Sequence, residues 1–151
     1  MKGRNPGWVI FWLLAALSCA TVPKRGTTET LKSAVETFHQ RIRWRDYRGA
    51  SELVLPERRD RFLAARAAHH DDKDLSVTDY QLEDMRLAPD GLSAAVASKV
   101  GWVRLPSVSE ASDLITSEWV FRAGAWYLAR QDLGPFTPEL EEPVEAPDGG
   151  K

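Results

Sequence analysis

The spacing of apolar residues changes once along this chain, and that change limits what it can fold into. Leu31, Ala34, Val35, Phe38 and Ile42 recur three and four apart, which turns one face of a helix toward a core. Further on the interval becomes two: Val96, Val100 and Trp102 fall on one side with Lys99 on the other, and Ile115, Trp119 and Phe121 repeat the pattern. Helices come first and strands second. An α+β domain, with N-terminal helices packed on an antiparallel β-sheet, is the two-layer arrangement that buries both faces.

Local signals divide this frame. The first helix is expected over Glu29–Trp44 with Thr28 as its N-cap. Asp46 is placed to cap a second helix running to Val54, with Tyr47, Ala50, Leu53 and Val54 inward. Pro56 suits the first turn of a third helix that reaches His69, and Asp71-Asp72-Lys73-Asp74 reads as a polar break. Four strands follow, over Val77–Leu87, Ala94–Leu105, Leu114–Phe121 and Trp126–Arg130, with turns at Pro89-Asp90-Gly91 and Ala123-Gly124. From Pro135 to Lys151 prolines alternate with acids and few apolar groups remain, so a disordered acidic tail is expected over 135–151.

The N-terminus carries an address. Lys2 and Arg4 precede the apolar run Trp8–Leu17, which is shorter than the roughly 20 residues a bilayer span needs and has the flanks of a secretory signal. The run closes in Ala16-Leu17-Ser18-Cys19, which resembles the lipobox of bacterial lipoproteins, although that family prefers Leu where Ala16 stands. The resemblance implies cleavage between Ser18 and Cys19, removal of residues 1–18, and diacylglycerol on Cys19, the chain's single cysteine. An ordinary secretory signal with an incidental Cys19 is the alternative. A lipidated chain would use residues 19–28 as a tether, of which Ala20–Thr28 spans at most about 30 Å, and would carry its domain over 29–134. The membrane is then its first partner and the cell envelope its location. The outer membrane, facing the periplasm, is preferred because Ala20 is not the Asp that retains some lipoproteins at the inner one.

Charge excludes one class. The chain has 20 basic and 22 acidic residues, and loss of Lys2 and Arg4 with the leader leaves 18 against 22, about −4. Nucleic-acid binding calls for a basic excess that is absent here.

Two stretches carry a further resemblance. Val35-Glu36-Thr37-Phe38 followed by Trp44-Arg45-Asp46-Tyr47-Arg48-Gly49-Ala50, and later Gly124-Ala125-Trp126-Tyr127-Leu128, are similar to the first two helices and the closing strand of nuclear-transport-factor-2-like proteins. That resemblance covers about Glu29–Asp132. It implies a curved sheet wrapped around the first helix as a cone, a pocket at the open end, and self-association through the sheet as a homodimer. The family includes isomerases, dehydratases, binders and structural members, so fold alone does not choose a function.

Candidate residues follow from the cone. Tyr80 and Asp84, with Leu82 between them, share a strand face if the strand alternates, which puts an acid beside a phenol; Val77, Met85 and Leu87 compete for the same face. His39 lies off the first helix's apolar stripe and is expected at the rim or exposed. Trp102, Trp119 and Trp126 are candidates for lining a pocket, with Trp102 and Trp119 forming a slot for an apolar small ligand; core packing is the competing use of these rings. His69-His70-Asp71-Asp72 offers ligand types, but neighbours on a helix diverge, and neither metal nor cofactor is expected. The arginines from Arg41 to Arg66 are expected to form surface pairs, Arg48–Glu52 and Glu57–Arg61 among them. Two functions stand side by side: a non-catalytic binding or interaction module, for a small apolar ligand or an envelope protein, and an isomerase- or dehydratase-type enzyme working in the cone.

Overall fold

The helical repeat folds as α1, Thr28–Arg43, which buries Leu31, Val35, Phe38 and Ile42. Its cap is Thr27, one residue before the expected Thr28. The Thr27 hydroxyl accepts from the Thr30 N–H while the Thr30 hydroxyl accepts from the Thr27 N–H, a reciprocal box in which a Thr does the work more often given to Glu or Gln. The computed structural model describes residues 24–136; Ser18, Cys19, the leader, the first part of the tether and the tail from 137 lie outside the described residues.

The second helix is shorter than expected. α2, Tyr47–Ser51, is capped by Asp46, whose carboxylate accepts from the Gly49 N–H. A Cβ on Gly49 would overlap that carboxylate and the Arg41 guanidinium, so close approach explains a glycine inside a helix. Leu53–Leu55 leave the helix to line the sheet edge: the Leu128 N–H donates to Leu53 O at 2.7 Å and the Leu55 N–H donates to Leu128 O at 3.0 Å. Pro56–Arg58 form a 3₁₀ turn, and α3 spans Arg59–Ala68. The expected polar break is a further short helix, α4, Asp71–Asp74, whose first residue is fully buried.

The strands are β1 (Leu75–Leu87), β2 (Ser93–Arg104), β3 (Ala111–Arg122) and β4 (Ala125–Asp132), an antiparallel meander in sequence order. β1 does not alternate cleanly, because its pairing with β2 slips between Val77 and Asp79 and again between Leu82 and Asp84. Each slip inserts one residue and resets which side chains face inward. Val77, Tyr80, Leu82, Met85 and Leu87 therefore all pack toward the core. The contest between the two halves of the strand has no loser.

Two features close the ends. Asp71 pairs with Arg66 at 2.6 Å and with Arg104, both acid oxygens being used, and its backbone carbonyl accepts from the Tyr47 hydroxyl at 3.1 Å. Arg66, placed in the surface patch by the sequence, is 3% exposed; its guanidinium lies 4.2 Å from the Phe136 ring centroid. Phe136 is itself buried, so the domain extends two residues past the boundary expected at 134. At the opposite end, Gly26 donates to Gly91 O at 2.9 Å and lies against the Trp126 indole. Residues 24–28, read as free tether, are seated on the domain.

Candidate functional site

α1 packs on the sheet, and the space beneath its apolar stripe is filled. The Phe38 ring stands edge-on to Trp119 at 6.1 Å and lies 6.3 Å from Phe62, which in turn meets Phe136 at 6.0 Å. Trp119 is 1% exposed and its indole N–H donates to Ser117 Oγ. Trp126 is buried too, donating to Thr30 Oγ1 at 3.1 Å. Trp119 is core; Trp126, though buried, edges a small recess of about 290 Å³ with Thr30, Ala34 and Phe121. The expected Trp102–Trp119 slot does not form. Trp102 pairs with Ala111 and Trp119 with Ala94, so eight residues of β2 separate them, about 26 Å. Trp102 sits instead beside His69, Arg104 and Pro135 in a shallow recess of about 470 Å³ at the far end of the sheet.

Along one flank of the second half of α1 a gap opens toward β1. A groove of about 770 Å³ runs between Glu36, His39, Gln40, Arg43 and Trp44 on the helix and Tyr80, Gln81 and Leu82 on β1. The first β1 slip puts Tyr80 and Leu82 there. On the helix, Glu36, Gln40 and Trp44 follow at intervals of four on one face.

His39 is the main departure from expectation. It lies about 80° around the helix from Leu31, at roughly 100° per residue, on the flank of the apolar stripe. That flank is covered, because the Tyr80 ring stacks on the imidazole with centroids 3.9 Å apart and planes 20° from parallel. His39 is 6% exposed, and burial lowers its pKa to about 3, so it is neutral at any physiological pH. Burial raises the Tyr80 phenol, whose oxygen lies 3.5 Å from Ser98 Oγ.

Asp84 is elsewhere. The second slip turns it to the outer face, where it lies opposite Ala97 of β2 and its carboxylate accepts from Arg86 Nε at 2.7 Å. The acid-beside-phenol arrangement is therefore not made, and no hydrogen bond joins His39 to a carboxylate among the described residues. His69 and His70 are spent on the backbone: His69 ends α3, and His70, at φ 52°, precedes α4. Among the described residues no three His, Cys, Asp or Glu converge on a point that would hold a metal ion. Glu52 is held by Arg41 at 3.4 Å rather than by Arg48.

Trp44, expected as the last residue of the first helix, is 76% exposed, at the groove's mouth. Its signal in the sequence was position: it is the last residue of the helical stretch, two beyond Ile42, and so falls off the buried stripe.

With helices on one face of a four-stranded meander, the architecture can be set against known structures. A SEC-C motif containing protein from Rhodopseudomonas palustris superposes with TM-score 0.57 at 17% identity, over 70% of this chain and 80% of that one. A nuclear-transport-factor-2-like protein of unknown function from Shewanella oneidensis gives 0.55 at 11%, over 69% and 95%. A ketosteroid isomerase-like protein from Erwinia carotovora gives 0.52 at 12%, over 68% and 91%. The fold is nuclear-transport-factor-2-like. At these identities the likeness concerns fold alone. No protein-family model and no curated protein matches the sequence.

Proposed function

We propose that this chain is a lipid-anchored envelope protein whose nuclear-transport-factor-2-like domain is a non-catalytic binding module, with the α1–β1 groove as its site. The observation that carries the binding reading is the groove's makeup. A His39–Tyr80 stack forms its floor, Leu82 adds apolar surface, and an exposed Trp44 stands at its mouth, with Glu36 and Arg43 also lining it. Such a surface suits a small ligand with a flat apolar body and a polar end. An isomerase or dehydratase would need a carboxylate or imidazole in hydrogen-bond reach of a second polar group; His39 makes a ring-on-ring contact instead. The lipid anchor rests on the order of n-region, apolar run and Ala16-Leu17-Ser18-Cys19. Self-association through the outer face of the sheet is part of the same proposal, by likeness of fold.

The test is native mass spectrometry of the protein purified with its membrane. Expected are an acyl mass on Cys19, a dimer, and a co-purified small molecule that Trp44→Ala loses while its thermal unfolding is unchanged, since Trp44 packs little. An unacylated Cys19, with Cys19→Ser fractionating as the parent does, removes the anchor. A ligand retained in full by Trp44→Ala removes the groove.

A further inference from the structure

The seating of residues 24–27 decides which end of the domain meets the membrane, and this inference rests on the anchor at Cys19. Gly26 donates to Gly91 O in the β1–β2 turn and packs on Trp126 just past the β3–β4 turn. The Arg25 stem covers Gly91 and the Lys24 side chain covers Gly124. Chain entry is thus fixed at the end of the sheet where the β1–β2 and β3–β4 turns lie, opposite the β2–β3 turn. Five residue steps separate Cys19 from Lys24, at most about 17 Å. The opposite end of the sheet is a full strand away: β2 has 12 residues, about 40 Å.

We infer that the hairpin-turn end, formed by Lys24, Arg25, Leu92 and the Ala123-Gly124 turn, is a docking surface for an anionic phospholipid bilayer. The chain left between Cys19 and Lys24 is too short to let the far end reach the headgroups while this end stays away. Chemistry matches geometry. Lys24 and Arg25 are exposed cations, and Leu92 is 47% exposed beside them. The one nearby turn acid, Asp90, accepts from the Leu92 N–H. Cations with apolar stems around an exposed leucine suit the headgroup layer. The mouth of the α1–β1 groove, marked by Trp44, lies 16 residues along the helix from Thr28, about 24 Å further out. The groove thus opens toward the aqueous side and takes its ligand from there, not from the bilayer.

The experiment uses full-length protein purified from membranes, where an acylated Cys19 leaves no reactive thiol. Leu92→Cys and Val108→Cys, the latter at the far end and 88% exposed, are each labelled with a fluorophore. The samples go into vesicles of phosphatidylethanolamine and phosphatidylglycerol carrying a headgroup nitroxide. Lys24→Cys supplies a second turn-end position if Leu92→Cys does not fold. Expected is loss of most turn-end fluorescence with the Val108 label unchanged, and weaker quenching when phosphatidylcholine replaces the anionic lipid. In a preparation shown by mass to be acylated, equal quenching at both ends, or stronger quenching at Val108, overturns the orientation and leaves the anchor standing. Turn-end quenching that ignores lipid charge overturns the anionic preference. A chain without the acyl mass overturns the anchor, and this inference with it.

Discussion

Replacing Asp71 by Asn should be the most damaging single isosteric change in this domain. The carboxylate is fully buried and contacts two guanidiniums, of which Arg66 is 3% exposed and rests on the Phe136 ring. Burial already pulls the Arg66 pKa down, and the charge on Asp71 opposes that pull. Remove the charge and the desolvation remains without its compensation. Breaking one side of a buried pair costs about 3–5 kcal/mol. A domain of this size has about 5–15 kcal/mol in all, so Asp71→Asn should lose a fifth or more of its stability. Urea unfolding followed by tryptophan fluorescence would read this as a lower midpoint at an unchanged slope. A second readout is local. The Tyr47 phenol is held up at about 12, by burial first and by the Asp71 charge second, so phenolate absorbance should appear at lower pH in the variant. A loss below about 1 kcal/mol would refute the reasoning, because exposed pairs give that much and the cluster would then be wet.

Three further outcomes are expected. His39 is neutral when folded and has a pKa near 3 against 6.5 when unfolded, so the unfolded state binds the extra proton and stability falls as pH drops from 6.5 toward 3. Between pH 6.5 and 5 the wild type should lose about 1.6 kcal/mol more than His39→Phe, and parallel denaturation curves for the two proteins would count against a buried neutral imidazole. Phe136→Ala should cost about 3–5 kcal/mol in the same assay, because the ring fills space against Phe62 and Arg66; a neutral result would mean that the chain past Gly134 does not belong to the core. Gly26→Ala should lose about 1–3 kcal/mol, since a Cβ there runs into the Trp126 indole, and a Tm equal to wild type would show the N-terminal segment lifting off without cost.

What the sequence disclosed, and what it hid, follows from the range of each interaction. The α1 stripe and the alternation in β2 and β3 are local patterns, and the layers they imply are the ones found. Helix α2 was read too long because Leu53–Leu55 are spent on a strand 73 residues away in the case of Leu55 and Leu128, which no local spacing reports. Asp84 was misplaced because a bulge inverts alternation without changing composition. His39 looked exposed because the ring that covers it, Tyr80, comes from a distant strand. Asp71 looked like loop because four charged residues in a row have no apolar period; its burial depends on Arg66 and Arg104 arriving from two other elements. The groove was missed for the same reason, since half of its floor is a misread histidine and its mouth is a tryptophan read only as the end of a helix.

The two slips in β1 bear on crowding as well as on pairing. β4 has its outer margin occupied by Leu53–Leu55, whereas β1 has no strand on its other side. A straight margin of that length is a template onto which a neighbouring molecule could add its own strand. An irregular one, kinked twice and studded with Asp79, Glu83, Asp84 and Arg86, offers poor register to any such newcomer. Proteins held on a two-dimensional surface meet one another far more often than free ones, so for an anchored chain the same irregularity that brings Tyr80 and Met85 to one side would also keep separate copies from knitting into a fibre.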